Sequence, residues 1–168
     1  MQEDQRRQPV FPYNPSHAVL DDVNARILSA LGDNPRLTMT ELGRRVGMSS
    51  PAVTERVRRL EEAGVIRGYR LDIDPVALGL PLTAFIRLQP NSGQLARVAE
   101  LARSIPEITE CHRITGEDCF ILKLHLPEME QLDRVLDRFL MYGTTTTSIV
   151  QSTPVPLRSP PLPRPPEQ

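Results

Sequence analysis

Between Thr38 and Pro51 the chain carries two helix starts with a helix stop between them, and few folds leave room for that. Thr38 followed by Glu41 has the spacing of a capping box, in which each side chain satisfies the other residue's backbone N–H. Gly47 suits the left-handed end of a helix. Ser49 or Ser50 caps the next one, with Pro51 in a first turn where its missing N–H does no harm. The helix in between, from Thr38 to Val46, is therefore short, with Leu42 and Val46 inward. Ahead of it, "LDDVNARILSAL" places Leu20, Val23, Ile27, Leu28 and Leu31 at helical spacing, with Asp21 or Asp22 as cap. After it, Val53, Val57 and Leu60 form a buried stripe that ends at Gly64. Three helices joined by tight turns, the second one short, are the layout of a helix-turn-helix, whose last helix lies in the major groove of DNA.

Beyond Gly64 the pattern changes. "VIRGYRLDIDP" reads as a strand ended by Pro75, and "VALGLP" as a hinge. "LTAFIRL", "EITECHRIT", "CFILKLHL" and "TTTTSIVQST" read as strands. "GQLARVAELARSI" reads as a helix with Leu95, Val98, Leu101 and Ala102 inward, and "PEMEQLDRVLDRFL" as one with Met129, Leu132, Leu136 and Phe139 inward. The order is βαββαβ, the ferredoxin-like split βαβ. The expected fold class is thus α+β: an N-terminal winged-type helix-turn-helix followed by a ferredoxin-like βαββαβ domain. The expected divisions are a flexible arm over 1–18, the helix-turn-helix over 19–72, a hinge over 73–81, the βαββαβ domain over 82–154 and a disordered tail over 155–168. Seven of the fifteen residues from Pro154 onward are proline, which favours an extended tail.

Charge is sorted between these parts. Residues 36–70 hold eight arginines (36, 44, 45, 56, 58, 59, 67, 70) against four acids, a balance of +4 in a chain whose net charge is −1. Residues 107–140 hold four basic residues against eight acids, or −4. Phosphate neutralisation dominates DNA affinity while side chains at base edges read sequence, so a local basic surface in a helix-turn-helix points to duplex DNA. On the third helix Ser50, Thr54 and Arg58 share one flank, with Ser49 at its tip, and they suit base edges. Arg56 and Arg59 fall on the opposite flank and suit phosphates or bracing against nearby acids. Arg44 and Arg45 reach the DNA backbone. The plain alternative is a solvated helix held by i,i+4 pairs such as Arg58–Glu62.

With these motifs in place, "TMTELGRRVGMSSPAVTERVRRLEEAGVIRGYRLDIDPVALGL" and "TGEDCFILKLHL" resemble the Lrp/AsnC family of transcription regulators, from about Val19 to Val155. The resemblance implies a DNA-binding N-terminal domain and a C-terminal domain that binds an amino acid and assembles the oligomer, as a dimer and then a tetramer or octamer. It implies an effector site between dimers, formed here by Thr115, Gly116, Glu117, Asp118 and Cys119 with Ser148, Ile149 and Val150. Many family members carry an acid where Cys119 stands; here acids stand at Glu117 and Asp118 instead. The amino-acid effector is the only small molecule implied, and no cofactor is.

Cys111, His112, Cys119 and His125 lack metal-ligand spacing, and the neighbours Cys111 and His112 point to opposite faces of a strand, so no metal is expected. A two-residue turn sets Cys111 opposite Leu122 and Cys119 opposite Ile114, which puts a disulfide out of register and favours buried thiols. "GTTTTSIVQST" has one glycine and no lysine, and reads as strand rather than phosphate loop. No nucleophile–base pair or glycine-rich cradle supports an enzyme. An amino-acid-sensing or assembly module without DNA binding is a further reading, but it leaves the sorted arginines unexplained. No apolar run has the ~20 residues of a membrane helix, and no signal-peptide core is present, so a cytoplasmic chain without a membrane partner is expected.

Overall fold

The computed structural model describes residues 20–162, so the arm expected over 1–18 and residues 163–168 of the tail lie outside the described residues. The chain divides into two units between Arg70 and Leu71, with residues 157–162 grouped with the first. Helix α1 runs Asp22–Asp33, α2 Met39–Val46 and α3 Ser50–Glu62. Their ends follow the chemistry expected of them. The Asp21 side chain accepts from the Asn24 backbone N–H at 2.7 Å. Thr38 and Glu41 form the full capping box, and Gly47 ends α2 in the left-handed conformation at φ 75°. Ser49 is the cap of α3, but its side chain makes no capping bond, so Pro51 carries the start alone. Ile27, Leu42, Val53 and Leu60 are fully buried where the three helices meet.

No strand forms over residues 65–75. Val65 and Ile66 turn back on α3, each donating its N–H to the Leu60 carbonyl. Beyond them Tyr69, Leu71 and Ile73 are 52%, 87% and 54% exposed. These residues have β-propensity, but a strand needs a second strand for its backbone groups, and no described residue pairs with this one. The hinge contains a 3₁₀ turn, Val76–Leu78, closed by Gly79 at φ 77°.

In the second unit, β1 (Leu82–Pro90), α4 (Leu95–Arg103), β2 (Ile108–Arg113), β3 (Phe120–Leu126), α5 (Met129–Phe139) and β4 (Gly143–Ile149) follow in order. The sheet order is β2-β3-β1-β4 and every pair is antiparallel. Side chains alternate across a strand. Ala84, Ile86 and Leu88 of β1 and Phe120, Leu122, Leu124 and Leu126 of β3 therefore bury one face against Val98, Ala102, Leu132, Val135 and Phe139 of the helices. Thr83, Phe85, Arg87, Ile121, Lys123 and His125 fall on the other face, which carries no helix.

The expected register holds: Cys111 pairs with Leu122, and the Ile114 N–H donates to the Cys119 carbonyl at 2.8 Å. Three details differ. Leu95 and Met129 are exposed because each begins its helix, ahead of the first turn that reaches the sheet. Val135 takes a buried place on α5 while Leu136 is only partly covered. The thiols are not buried: Cys111 is exposed on the edge strand β2, and Cys119 is half-buried. Gly143, the first residue of β4, has room for no side chain, because a Cβ there would strike the Gln89 backbone. No helix among the described residues is long and apolar enough to cross a membrane.

Candidate functional site

In the first unit the close approach of α2 and α3 rests on a residue the sequence reading passed over. Gly43 is buried, and a Cβ on it would lie 2.6 Å from the Met48 carbonyl oxygen. The Met48 N–H in turn donates to the Gly43 carbonyl at 2.8 Å. Glycine at this point lets the turn fold back tightly and fixes how α3 is presented. A glycine inside an otherwise sound helix was the available sign.

The arginines fall into two groups. Arg56 is the brace: its Nη1 donates to Asp21 Oδ2 at 2.6 Å and to Asn24 Oδ1 at 3.0 Å, tying α3 to the start of α1. Hydrogen bonds from Arg56 and the Asn24 amide hold the Asp21 carboxyl below its ordinary value. Arg58 donates from Nε and Nη2 to the two oxygens of Glu55, at 2.9 and 2.7 Å, and from Nη1 to Glu62. Arg59 Nε donates to the same Glu55 at 2.8 Å. Bonds from Arg58 and then Arg59 hold the Glu55 carboxyl down to about 2, and Glu55 raises Arg58 in return. The intrahelical pairs of the plain alternative are thus present. Arg36, Arg44, Arg45, Arg67 and Arg70, by contrast, are exposed, and none forms a side-chain ion pair with a described residue. The positive surplus available to an outside anion lies beside α3 rather than on it. Ser49 and Thr54 are exposed and Ser50 is half-buried; the Thr54 hydroxyl donates back to the Ser50 carbonyl at 2.8 Å.

In the second unit the turn Thr115–Cys119 is open. Thr115, Gly116 and Glu117 are exposed, Gly116 has φ 109° and Cys119 φ 54°. A left-handed residue other than glycine is uncommon, and Cys119 is the one such case among the described residues. The Asp118 carboxylate lies 3.5 Å from Arg87 Nη1, so one of the two acids already has a cation. The register separates this turn from the other expected effector residues. Phe120, next to the turn, pairs with Leu88, which pairs with Thr145; Ser148 pairs with Phe85, which pairs with Lys123. Ser148, Ile149 and Val150 therefore lie toward the opposite end of the sheet, and one chain does not bring the two groups together. The hinge end of this unit holds a cavity of about 300 Å³, walled by Leu71, Ile73 and Leu78, with Glu107 and His125 on its polar side. Burial lowers the His125 imidazole, whose Nδ1 lies 3.0 Å from the Thr83 hydroxyl. Among the described residues no three His, Cys, Asp or Glu side chains are placed to hold a metal.

Known proteins match both units. Residues 20–67 match the family model of winged helix-turn-helix DNA-binding domains, and residues 83–160 match that of the Lrp/AsnC ligand binding domain. The HTH-type transcriptional regulator YezC of Bacillus subtilis is 42% identical over 80% of this chain and 95% of its own length. The solved structure of LrpC from the same organism is 34% identical, superposes with a TM-score of 0.77, and is matched over 80% of this chain and 96% of that one. A transcriptional regulator of Neisseria meningitidis, solved as its complex with L-methionine, is 30% identical with a TM-score of 0.78, over 84% of this chain and 96% of that one.

Proposed function

We propose, for a chain that belongs to the Lrp/AsnC family of DNA-binding transcription regulators, that the arginines beside α3 hold the phosphates of an operator while α3 reads its bases. The chain is a regulator and not an enzyme, in keeping with the family to which it belongs. The observation that carries the phosphate assignment is the set of exposed arginines, Arg44 and Arg45 at the end of α2 included, that have no carboxylate partner among the described residues. Phosphate is the anion such a surface lacks. Ser49, Ser50, Thr54 and Arg58 are the groups for base edges, and Arg59 lies at the margin of both sets. Arg56 supports the interface from behind through Asp21. A chain that works on genomic DNA works in the cytoplasm.

The second unit binds an amino acid at an interface between copies. A relative's complex with L-methionine supports the class of ligand. The separation of Gly116–Cys119 from Ser148–Val150 supports an interface, because residues from two copies can meet where those of one chain do not. Glu117 and the carbonyls of the turn take the ammonium group; backbone amides near Gly116 and the Ser148 hydroxyl take the carboxylate. The helix-free face of the sheet, with Phe85 and Ile121 on it, pairs two copies, and further copies add as tetramer or octamer.

Fluorescence anisotropy with duplex DNA across a salt series tests the first part. Each lost phosphate contact flattens the log–log salt slope by about one unit, so Arg45→Ala is expected to weaken all sequences alike with that change. Affinity that does not respond to salt would remove the reading. Calorimetry with the twenty amino acids tests the second part: binding is expected with at least one of them, and is expected to be lost in the Glu117→Ala, Ser148→Ala double variant. No heat from any amino acid would leave the regulator without this input.

A further inference from the structure

We propose that Glu55 is a specificity-determining residue of the DNA-binding helix, which withholds Arg58 and Arg59 from phosphates and so reserves Arg58 for the correct bases. The inference rests on the DNA-binding assignment of α3. At ~100° per residue, the direction opposite the buried Val53, Val57 and Leu60 falls on Glu55 and Glu62, with Arg58 to one side and Arg59 to the other. The outermost face of the helix therefore has two arginines and two carboxylates, a net charge of zero, inside a region of +4. Glu55 stands at the junction, with Oε1 accepting from both Arg58 and Arg59 and Oε2 from Arg58. Its depressed carboxyl keeps it ionised throughout the neutral range.

This arrangement treats two kinds of partner differently. A phosphate that approaches Arg58 or Arg59 meets the Glu55 carboxylate beside them, which repels it and offsets the charge it would neutralise. A guanine edge is uncharged and meets no such repulsion. Of the five N–H groups of Arg58, Glu55 takes the one on Nε and one on Nη2, and Glu62 takes one on Nη1. One N–H remains on each terminal nitrogen, enough for the two acceptors O6 and N7 of guanine. The carboxylate thus positions the guanidinium and at the same time removes it from sequence-independent binding.

Glu55→Gln keeps the shape and removes the charge. Full-length wild type and variant are compared on two duplexes: a random-sequence one, and the tightest duplex the wild type selects from a random pool. The variant is expected to bind random DNA several-fold more tightly, with a salt slope steeper by up to about two units because two further arginines reach phosphates. Its preference for the selected duplex is expected to fall. In the wild-type background Arg58→Gln is expected to leave the random-DNA slope unchanged and to weaken the selected duplex more than the random one, and this second variant does not depend on how Glu55→Gln folds. Unchanged slope and preference in Glu55→Gln, equal weakening on both duplexes, or a flatter random-DNA slope in Arg58→Gln would overturn the inference. A wild type without affinity for either duplex in about 50 mM salt would overturn the DNA-binding assignment as well.

Discussion

At the scale of single residues, the first unit depends on a glycine that carries no functional group. Alanine is ordinarily better than glycine inside a helix by up to ~1 kcal/mol. At Gly43 a methyl group would meet the Met48 carbonyl oxygen, which belongs to the turn backbone and has little room to move. Overpacking of that kind costs ~1–3 kcal/mol, so the clash wins. Gly43→Ala is expected to lower the stability of the first unit by a net ~1–2 kcal/mol and to weaken DNA binding, because it changes the angle between α2 and α3. Chemical denaturation followed by circular dichroism measures the first effect; a variant as stable as the wild type would mean that the turn yields. The capping residues were legible in the sequence because a cap is a local device: Asp21, Thr38, Glu41 and Gly47 act on backbone within a turn of themselves. The partners of the arginines were only partly legible. The pair Arg58–Glu62 follows from helix spacing, but Arg56–Asp21 joins residues far apart in the chain and depends on how α3 packs on α1.

At the scale of elements, the sheet shows where sequence patterns suffice and where they stop. Alternation fixed β1 and β3, and the turn fixed the register between β2 and β3, down to Cys111 opposite Leu122. Helix faces were legible in their middle turns but not at their starts, where Leu95 and Met129 extend past the sheet. Residues 65–75 have a strand's composition without a strand's partner, and composition cannot supply one. Strand order had the largest effect on the candidate effector site. Periodicity placed Ser148 on the last strand, but only the order β2-β3-β1-β4 with its registers moves it away from the Gly116 turn. The same order leaves Phe85 and Ile121 together on a mostly polar face that neither α4 nor α5 covers, where two apolar side chains can meet those of a second copy. The wild type is expected to be a dimer at about 10 µM and Phe85→Asp a monomer, without loss of helix content, since the residue lies outside the helix-side core. Light scattering with circular dichroism decides this; a dimer that survives the substitution would place the interface elsewhere.

At the scale of the whole molecule, the two units have separate proposed tasks: in the first, exposed arginines would hold phosphates, and in the second, copies would complete an amino-acid site. An amino acid can then act on DNA binding only through its difference in affinity between assembled states, typically ~1–3 kcal/mol, or about 5–150-fold in affinity. That range is large enough to empty or fill a site in a cell. The second function was the less legible one because the sequence placed Gly116 and Ser148 on their elements but not at opposite ends of the sheet. The most direct measurement is genome-wide binding of the full-length protein in its native host, repeated with each amino acid in excess. The account predicts discrete enriched sites, lost in Arg44→Ala, Arg45→Ala double variants, with occupancy that shifts for at least one amino acid. An even distribution along the chromosome, or sites unaffected by removing both arginines, would contradict it.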